Sequence, residues 1–140
     1  MIYIAAPFFN EEQLSFVKAI ESALNRKRID YFSPRSTGVL IDMTEEEKQK
    51  YKRDIYNDNI KNIDMCTLMI AVIDDKDVGT MWEMGYATAK GKPIISISNK
   101  NYGLNVMLAE SVRAHVLDIP QMFAAIYDPY YPGEIIRGVY

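Results

Sequence analysis

Thr67-Leu68-Met69-Ile70-Ala71-Val72-Ile73 (TLMIAVI, residues 67–73) is a continuous apolar run opened by a single threonine. A half-exposed strand alternates apolar with polar residues, whereas an unbroken run of this length is the pattern of a parallel strand covered by helices on both faces. Residues 67–73 are therefore the expected central strand. Downstream, the acidic loop Asp74-Asp75-Lys76-Asp77 leads to Gly79-Thr80 and a helix running to about Lys90. A strand over 93–98, a helix over 105–111, a strand over 115–117 and a helix over 120–126 follow. Upstream, Thr44 and Glu47 have the spacing of a capping box, and the helix they open carries Tyr51, Ile55, Asn59 and Ile63 at four-residue steps. Before it come a strand over 29–33 and a loop over 34–43 that contains a Ser-Thr-Gly turn. Asn10 and Gln13 open a first helix to about Arg26, and residues 2–6, ended by Pro7, are the first strand. Strand and helix alternate throughout. The expectation is one doubly wound, flavodoxin- or Rossmann-like α/β domain over residues 1–140, with a mostly parallel five-stranded sheet. Residues 128–140, rich in Tyr and Pro, are expected to drape over its surface.

Composition agrees with one such core. The chain has 140 residues, 49% hydrophobic and 25% charged, enough apolar surface for a core and too much for a disordered chain. Sixteen Lys and Arg stand against 19 Asp and Glu, and a net charge of -3 gives no general attraction for nucleic acid. The lone Cys66 excludes an intrachain disulfide, and with the lone His115 it excludes the usual Cys/His zinc sites, so a metal would have to rely on carboxylates. No metal and no cofactor are called for. The N-terminus lacks a basic, signal-like start, and no apolar stretch nears the roughly 20 residues that span a bilayer. A cytoplasmic protein without a membrane partner is expected.

Ligands of open parallel sheets bind beyond the carboxyl ends of the strands. That edge collects Pro7-Phe8-Phe9, Ser33-Pro34-Arg35, the loop over 74–80 and the loop over 98–105. Its densest polar chemistry is DVGTMWEMGYA, residues 77–87, where Gly79 is expected to permit the tight turn into the helix and Glu83 to look back over the sheet edge. Asp77 precedes it, and the two acids are expected to face one pocket. GxxxxGK[ST], GxGxxG and GxSxG are all absent, which disfavours phosphate-cradle, dinucleotide and serine-triad chemistry. A carboxylate attacking an acetal-like anomeric carbon through an oxocarbenium-like transition state remains natural, and Tyr3, Phe8 and Phe9 offer aromatic surface for a flat base. A nucleoside suits both halves.

These residues carry a resemblance. IYIAAPFF at the start, SPR after the second strand, NIKNIDMC before the central strand, DVGTMWEMGYATAKGKP, the later NVM and the terminal GVY together resemble the nucleoside 2-deoxyribosyltransferase family. The DxGTxxExGxA core with a downstream NxM is its most specific part. The resemblance implies a ping-pong exchange. One base leaves a 2'-deoxynucleoside, a deoxyribosyl-enzyme ester forms, and a second free nucleobase takes the sugar. By position Glu83 is similar to the family nucleophile, Asp77 to a ligand of the sugar hydroxyls, and Tyr3 to the tyrosine that orients the nucleophile. Phe8 and Phe9 resemble the base-packing aromatics. Asn105, with Met107 nearby, resembles a sugar contact donated by a neighbouring subunit, which implies a homo-oligomer. Tyr140 matches a C-terminal tyrosine that closes the site in some members. Asn59 stands where several members carry an Asp proton relay and others Asn; Asp58 is a poor substitute, about 100° away on a regular helix.

Each residue also has a purely structural reading. Glu83 reads as a partner for a helix dipole, Asp77 and Asn105 as N-caps, Asn59 as a surface amide, and Tyr3, Phe8 and Phe9 as core. Trp82 and Met84 read as helix packing, Gly85 as a close approach to the sheet, Cys66 as an inert thiol and His115 as a structural histidine. Two further functions stay open. One is hydrolysis of the N-glycosidic bond of a deoxynucleoside or its 5'-monophosphate, for which Arg35 and residues 96–100 are the candidate phosphate pocket. The other is non-catalytic nucleoside binding.

Overall fold

The computed structural model describes residues 1–36, 43–100 and 103–136. Its order is β1 (Ile2–Ala5), α1 (Glu11–Arg26), β2 (Tyr31–Phe32), α2 (Glu45–Met65), β3 (Leu68–Val72), α3 (Val78–Ala89), β4 (Ile94–Ile97), α4 (Val106–Ala109), β5 (Ala114–Val116) and α5 (Ile119–Tyr127). The five strands form one sheet in the order β2-β1-β3-β4-β5. Every pairing is parallel, so the expectation of a mostly parallel sheet is sharpened to a wholly parallel one. The order reverses between β1 and β3, which makes their carboxyl ends the topological switch point. No helix among the described residues is long and apolar enough to cross a membrane.

β3 is buried at all positions and feeds two cores. Ile2, Ile4, Leu68, Ile70, Val72, Ile95 and Ile97 pack against Ile20 and Leu24 of α1 and Met122 and Ala125 of α5. The alternate residues Tyr3, Ala5, Met69, Ala71 and Ile94 face Ile63 of α2 and Met84 and Ala87 of α3. The two-residue period of β1 thus turns Tyr3 toward the α2 and α3 face.

The helix starts follow their caps. Asn10 Oδ1 accepts from Gln13 N at 2.9 Å, and Thr44 Oγ1 accepts from Glu47 N at 3.2 Å. Gln13 Oε1 reaches back to Phe9 N rather than to the cap itself. The expected strand over 29–33 shrinks to two residues for a specific reason. Arg28 adopts φ 56° and donates to Asn25 O, while Ile29 N donates to Leu24 O. This is a Schellman closure of α1, normally built on glycine, and it takes Ile29 out of the strand. The other boundaries lie within one to three residues of expectation, as fraying ends do. The loop expected over 34–43 begins with a 3₁₀ turn at Pro34–Ser36, and residues 37–42 lie outside the described ones.

The C-terminal segment behaves as a strap across the β5 edge. Tyr131 packs on one core, Ile136 on the other, and between them Glu134 N donates to His115 O at 2.7 Å. Gly133 makes the crossing with φ +63°, and a Cβ there would meet His115 O at 2.5 Å and His115 N at 3.0 Å. Both contacts are to backbone, which cannot swing aside. Gly133→Ala is therefore expected to cost about 2–3 kcal/mol, from the left-handed conformation plus the overlap. Urea unfolding measures it, and a loss below about 0.5 kcal/mol would refute this packing.

Candidate active site

The site is set by the turn that follows β3. Asp74 is buried and accepts from Ser98 Oγ at 2.6 Å and Asn99 N at 3.2 Å, tying the ends of β3 and β4 together. Asp75 (φ 62°) and Lys76 (φ 51°) are both left-handed. Gly79 is absent from the positive-φ positions, so the sharp turn expected of it belongs to Asp75 and Lys76. Such backbone persists where surrounding bonds over-determine it. Here Gln13 Nε2 and Lys100 Nζ donate to Asp75 at 2.8 and 3.0 Å, and these bonds, Gln13 first, hold its carboxyl below the usual range. Asp77 then caps α3, its Oδ2 accepting from Thr80 N and Thr80 Oγ1, each at 2.9 Å. Gly79 instead leaves room, since a Cβ there would sit 3.3 Å from Asp77 Oδ2.

Glu83 is the sixth residue of α3, beyond the first turn, and so is not the dipole partner that a first-turn acid would be. It faces a cleft of about 340 Å³ lined by Gly79, Trp82 and Glu83 from α3 and by Tyr56, Asn59, Ile60 and Ile63 from α2. Glu83 Oε2, Asn59 Oδ1 and Tyr3 Oη are buried without a hydrogen-bond partner. Among the described residues His115 Nε2 is the other such side-chain atom. Buried polar atoms are nearly always paired, so an orphan carboxylate oxygen accompanied by two further orphans, Asn59 Oδ1 and Tyr3 Oη, marks a place prepared for a ligand's polar groups. Burial pushes the Glu83 carboxyl up to about 7, the Tyr3 hydroxyl opposes that rise, and the negative charge of Asp77 adds to it. Burial, and then the carboxylate of Glu83, hold the Tyr3 phenol far above its ordinary value. The two groups thus sense each other although neither Tyr3 Oη nor Glu83 Oε2 completes a bond of ordinary geometry.

The sequence-predicted residues divide around this cleft. Glu83 and Asn59 line it, and Tyr3 stands fully buried behind Glu83. Asp77 does not line it: its side chain is engaged as the cap, and only its charge reaches Glu83. Phe8 is buried and Phe9 is 60% exposed; they touch each other at 4.8 Å between ring centroids, away from the cleft lining. Asn105 caps α4 through Met107 N, borders a second cavity with Ile73, Lys76 and Met81, and does not line the Glu83 cleft. Met107 is 74% exposed. Tyr140 lies outside the described residues.

The structure adds Trp82, Tyr56 and Ile60 to the lining. Met84 packs in the core as expected, but Trp82 is not a packing residue in that sense. Gly85 approaches nothing, for a Cβ there would meet no atom within 4 Å. The missed residues share a readable signal. Gly79, Trp82 and Glu83 fall at i, i+3 and i+4, as do Tyr56, Asn59 and Ile60, so each trio lies on one helical face. Cys66 is buried, and burial raises its thiol, consistent with inertness. His115 Nδ1 meets Ser96 Oγ at 2.8 Å, and burial lowers its pKa.

Fold and cleft define a flavodoxin-like α/β protein whose buried carboxylate, rather than a phosphate-binding loop, faces the ligand space. Residues 2–115 match the family model for nucleoside 2-deoxyribosyltransferase, and the chain belongs to that family and is an enzyme of that type. Solved structures agree. The 2-deoxyribosyltransferase of Bacillus psychrosaccharolyticus superposes with a TM-score of 0.77 at 29% identity, over 95% of this chain and 96% of that one. The 2-deoxyribosyltransferase of Leishmania mexicana (TM-score 0.54, 24% identity, 80% of this chain and 71% of that one) shares the fold. So does a conserved protein of Enterococcus faecalis (0.55, 21%, 97% and 80%). No curated protein matches the sequence significantly.

Proposed function

We propose that this enzyme transfers 2-deoxyribose between nucleobases through a covalent deoxyribosyl-Glu83 ester. The observation that carries the reading is the partnerless, buried Oε2 of Glu83 at a cleft of about 340 Å³, with a carboxyl poised near 7. An ionised Glu83 oxygen attacks C1', the C1'–N bond breaks, and its electron pair leaves on the base nitrogen. A nitrogen of the second base then attacks C1' and expels the carboxylate. The departing base gains one proton and the incoming base gives one up, so the cycle consumes none. Tyr3 steadies the ionised carboxylate, and Asn59 offers a neutral amide to the base.

Asp77 contributes negative charge beside the sugar as the oxocarbenium character develops. Asn105, the cap of α4, and the exposed Met107 reach the sugar from a second copy of the chain. The substrates are 2'-deoxynucleosides and free nucleobases. Hydrolysis of a 5'-monophosphate is less well supported, because its cationic candidates are engaged: Arg35 is paired with Glu21, and Lys100 with Glu12 and Asp75.

Incubation of the protein with deoxyinosine or thymidine and a second free base tests the transfer. The new deoxynucleoside is the expected product. Free deoxyribose without exchange, or an unchanged substrate, would overturn the assignment.

A further inference from the structure

We infer that Trp82 is the specificity-determining wall on which the nucleobase stacks, favouring bicyclic over monocyclic bases. The inference rests on the transferase reading above and adds what the base meets. Trp82 is the chain's only tryptophan, 50% exposed, and it lines the Glu83 cleft. A half-exposed indole at a cleft offers a large amphipathic surface for a ligand to cover. Its ring is held from one side: it stacks on Tyr86 with centroids 5.6 Å apart and planes 7° from parallel. Tyr86 is itself fixed, donating its hydroxyl to Asp64 Oδ1 at 2.8 Å with the Lys90 ammonium 5.5 Å from its ring centre. Tyr56, from α2, meets the indole tilted at 59° with centroids 5.7 Å apart and lines the same cleft.

The occupant must match both wall and floor. The wall offers a rigid aromatic surface. The floor offers Asn59 Oδ1, a buried acceptor without a donor, and the Glu83 carboxylate. A ligand that answers both is planar and aromatic with N–H donors at its edge, which is the chemistry of a nucleobase; a furanose has the donors but no π face. Trp82 and Glu83 line one cleft, so a base against the indole shares that space with the carbon that Glu83 attacks. A purine overlaps an indole over more area than a pyrimidine, which gives the preference its direction.

The single tryptophan makes the test direct. Adenine and cytosine are titrated into Glu83→Gln, which holds bases without turning them over, with emission excited selectively at tryptophan. Saturable quenching is expected, at lower concentration for adenine. In the active protein, Trp82→Ala should raise KM for purine acceptors about 5- to 100-fold, the range of base–aromatic stacking, and KM for pyrimidines less. Its kcat at saturation should hold within about threefold, and Trp82→Phe should recover most of the purine affinity. Exchange with no quenching and no selective rise in KM would overturn the stacking role and leave the transferase reading standing. Quenching by bases without exchange would overturn the transfer and leave the stacking. Emission that responds to dilution but not to bases would mean that a second copy covers the indole, and would overturn the inference even if Trp82→Ala failed to fold.

Discussion

Glu83→Ala is expected to abolish sugar exchange, lowering its rate by on the order of 10⁴-fold or more, while the chain stays folded. The size follows from the proposed role: with Glu83 as covalent nucleophile, its removal leaves the two-step exchange no route, and nucleophile removals in well-studied enzymes cost this much or more. The intact fold follows from the surroundings. Glu83 Oε2 has no hydrogen-bond partner to orphan, and the side chain stands at a cleft rather than in either core. Alanine leaves space beside C1', so millimolar azide or formate should restore part of the bond cleavage by supplying an external nucleophile. The measurements are single-turnover release of base and circular dichroism of the variant. A folded Glu83→Ala protein with full exchange would remove Glu83 from the mechanism, whereas azide-dependent release of base would mark the missing group as a nucleophile rather than a prop.

How much of this was legible in the sequence depended on whether the signal was local. The unbroken run 67–73 announced β3, and Asn10/Gln13 and Thr44/Glu47 announced helix starts, because a side chain and an amide three residues apart decide a cap. Glu83 and Asn59 were also reachable. The left-handed turn was not: Asp75 and Lys76 adopt it because Gln13 and Lys100 hold it from distant parts of the chain, and a nearby glycine was the more obvious candidate. Arg28 hid the end of α1 for the same reason, standing in a position that usually advertises itself with glycine. Trp82 was masked by its own hydrophobicity. On a helix, an indole facing a core and an indole facing a ligand have the same periodicity, and only the open space between α2 and α3 separates them. That Asn105 borders a different cavity from the Glu83 cleft, and that Met107 lines neither, is a three-dimensional fact that no spacing along the sequence encodes.

Glu83→Gln should stabilise the protein at neutral and alkaline pH, and the gain should vanish in acid. The Glu83 carboxyl titrates near 7 in the folded protein against an ordinary 4.5, mainly because burial penalises its charged form. Below about pH 4 the group is protonated whether the chain is folded or not, and it contributes no difference. Between 4.5 and about 7 the unfolded chain releases the proton while the folded one keeps it. The folded state then binds more protons, so stability falls as pH rises. Above about 7 the whole penalty is in place, on the order of 3 kcal/mol from that difference in pKa. Glutamine is neutral throughout and escapes it, so its advantage over the parent protein should grow from nothing near pH 4 to roughly that value at pH 8, a rise in melting temperature of about 8 °C. Thermal or urea unfolding of both proteins across this range measures it. An advantage of equal size at every pH would show that burial does not act on this carboxyl. Exchange by the parent protein should rise with pH through the same midpoint, because the attacking form is the ionised one. Activity and instability would then be two readings of one titration: the burial that raises the Glu83 carboxyl sets the pH at which the proposed nucleophile ionises and also makes its charge costly to hold.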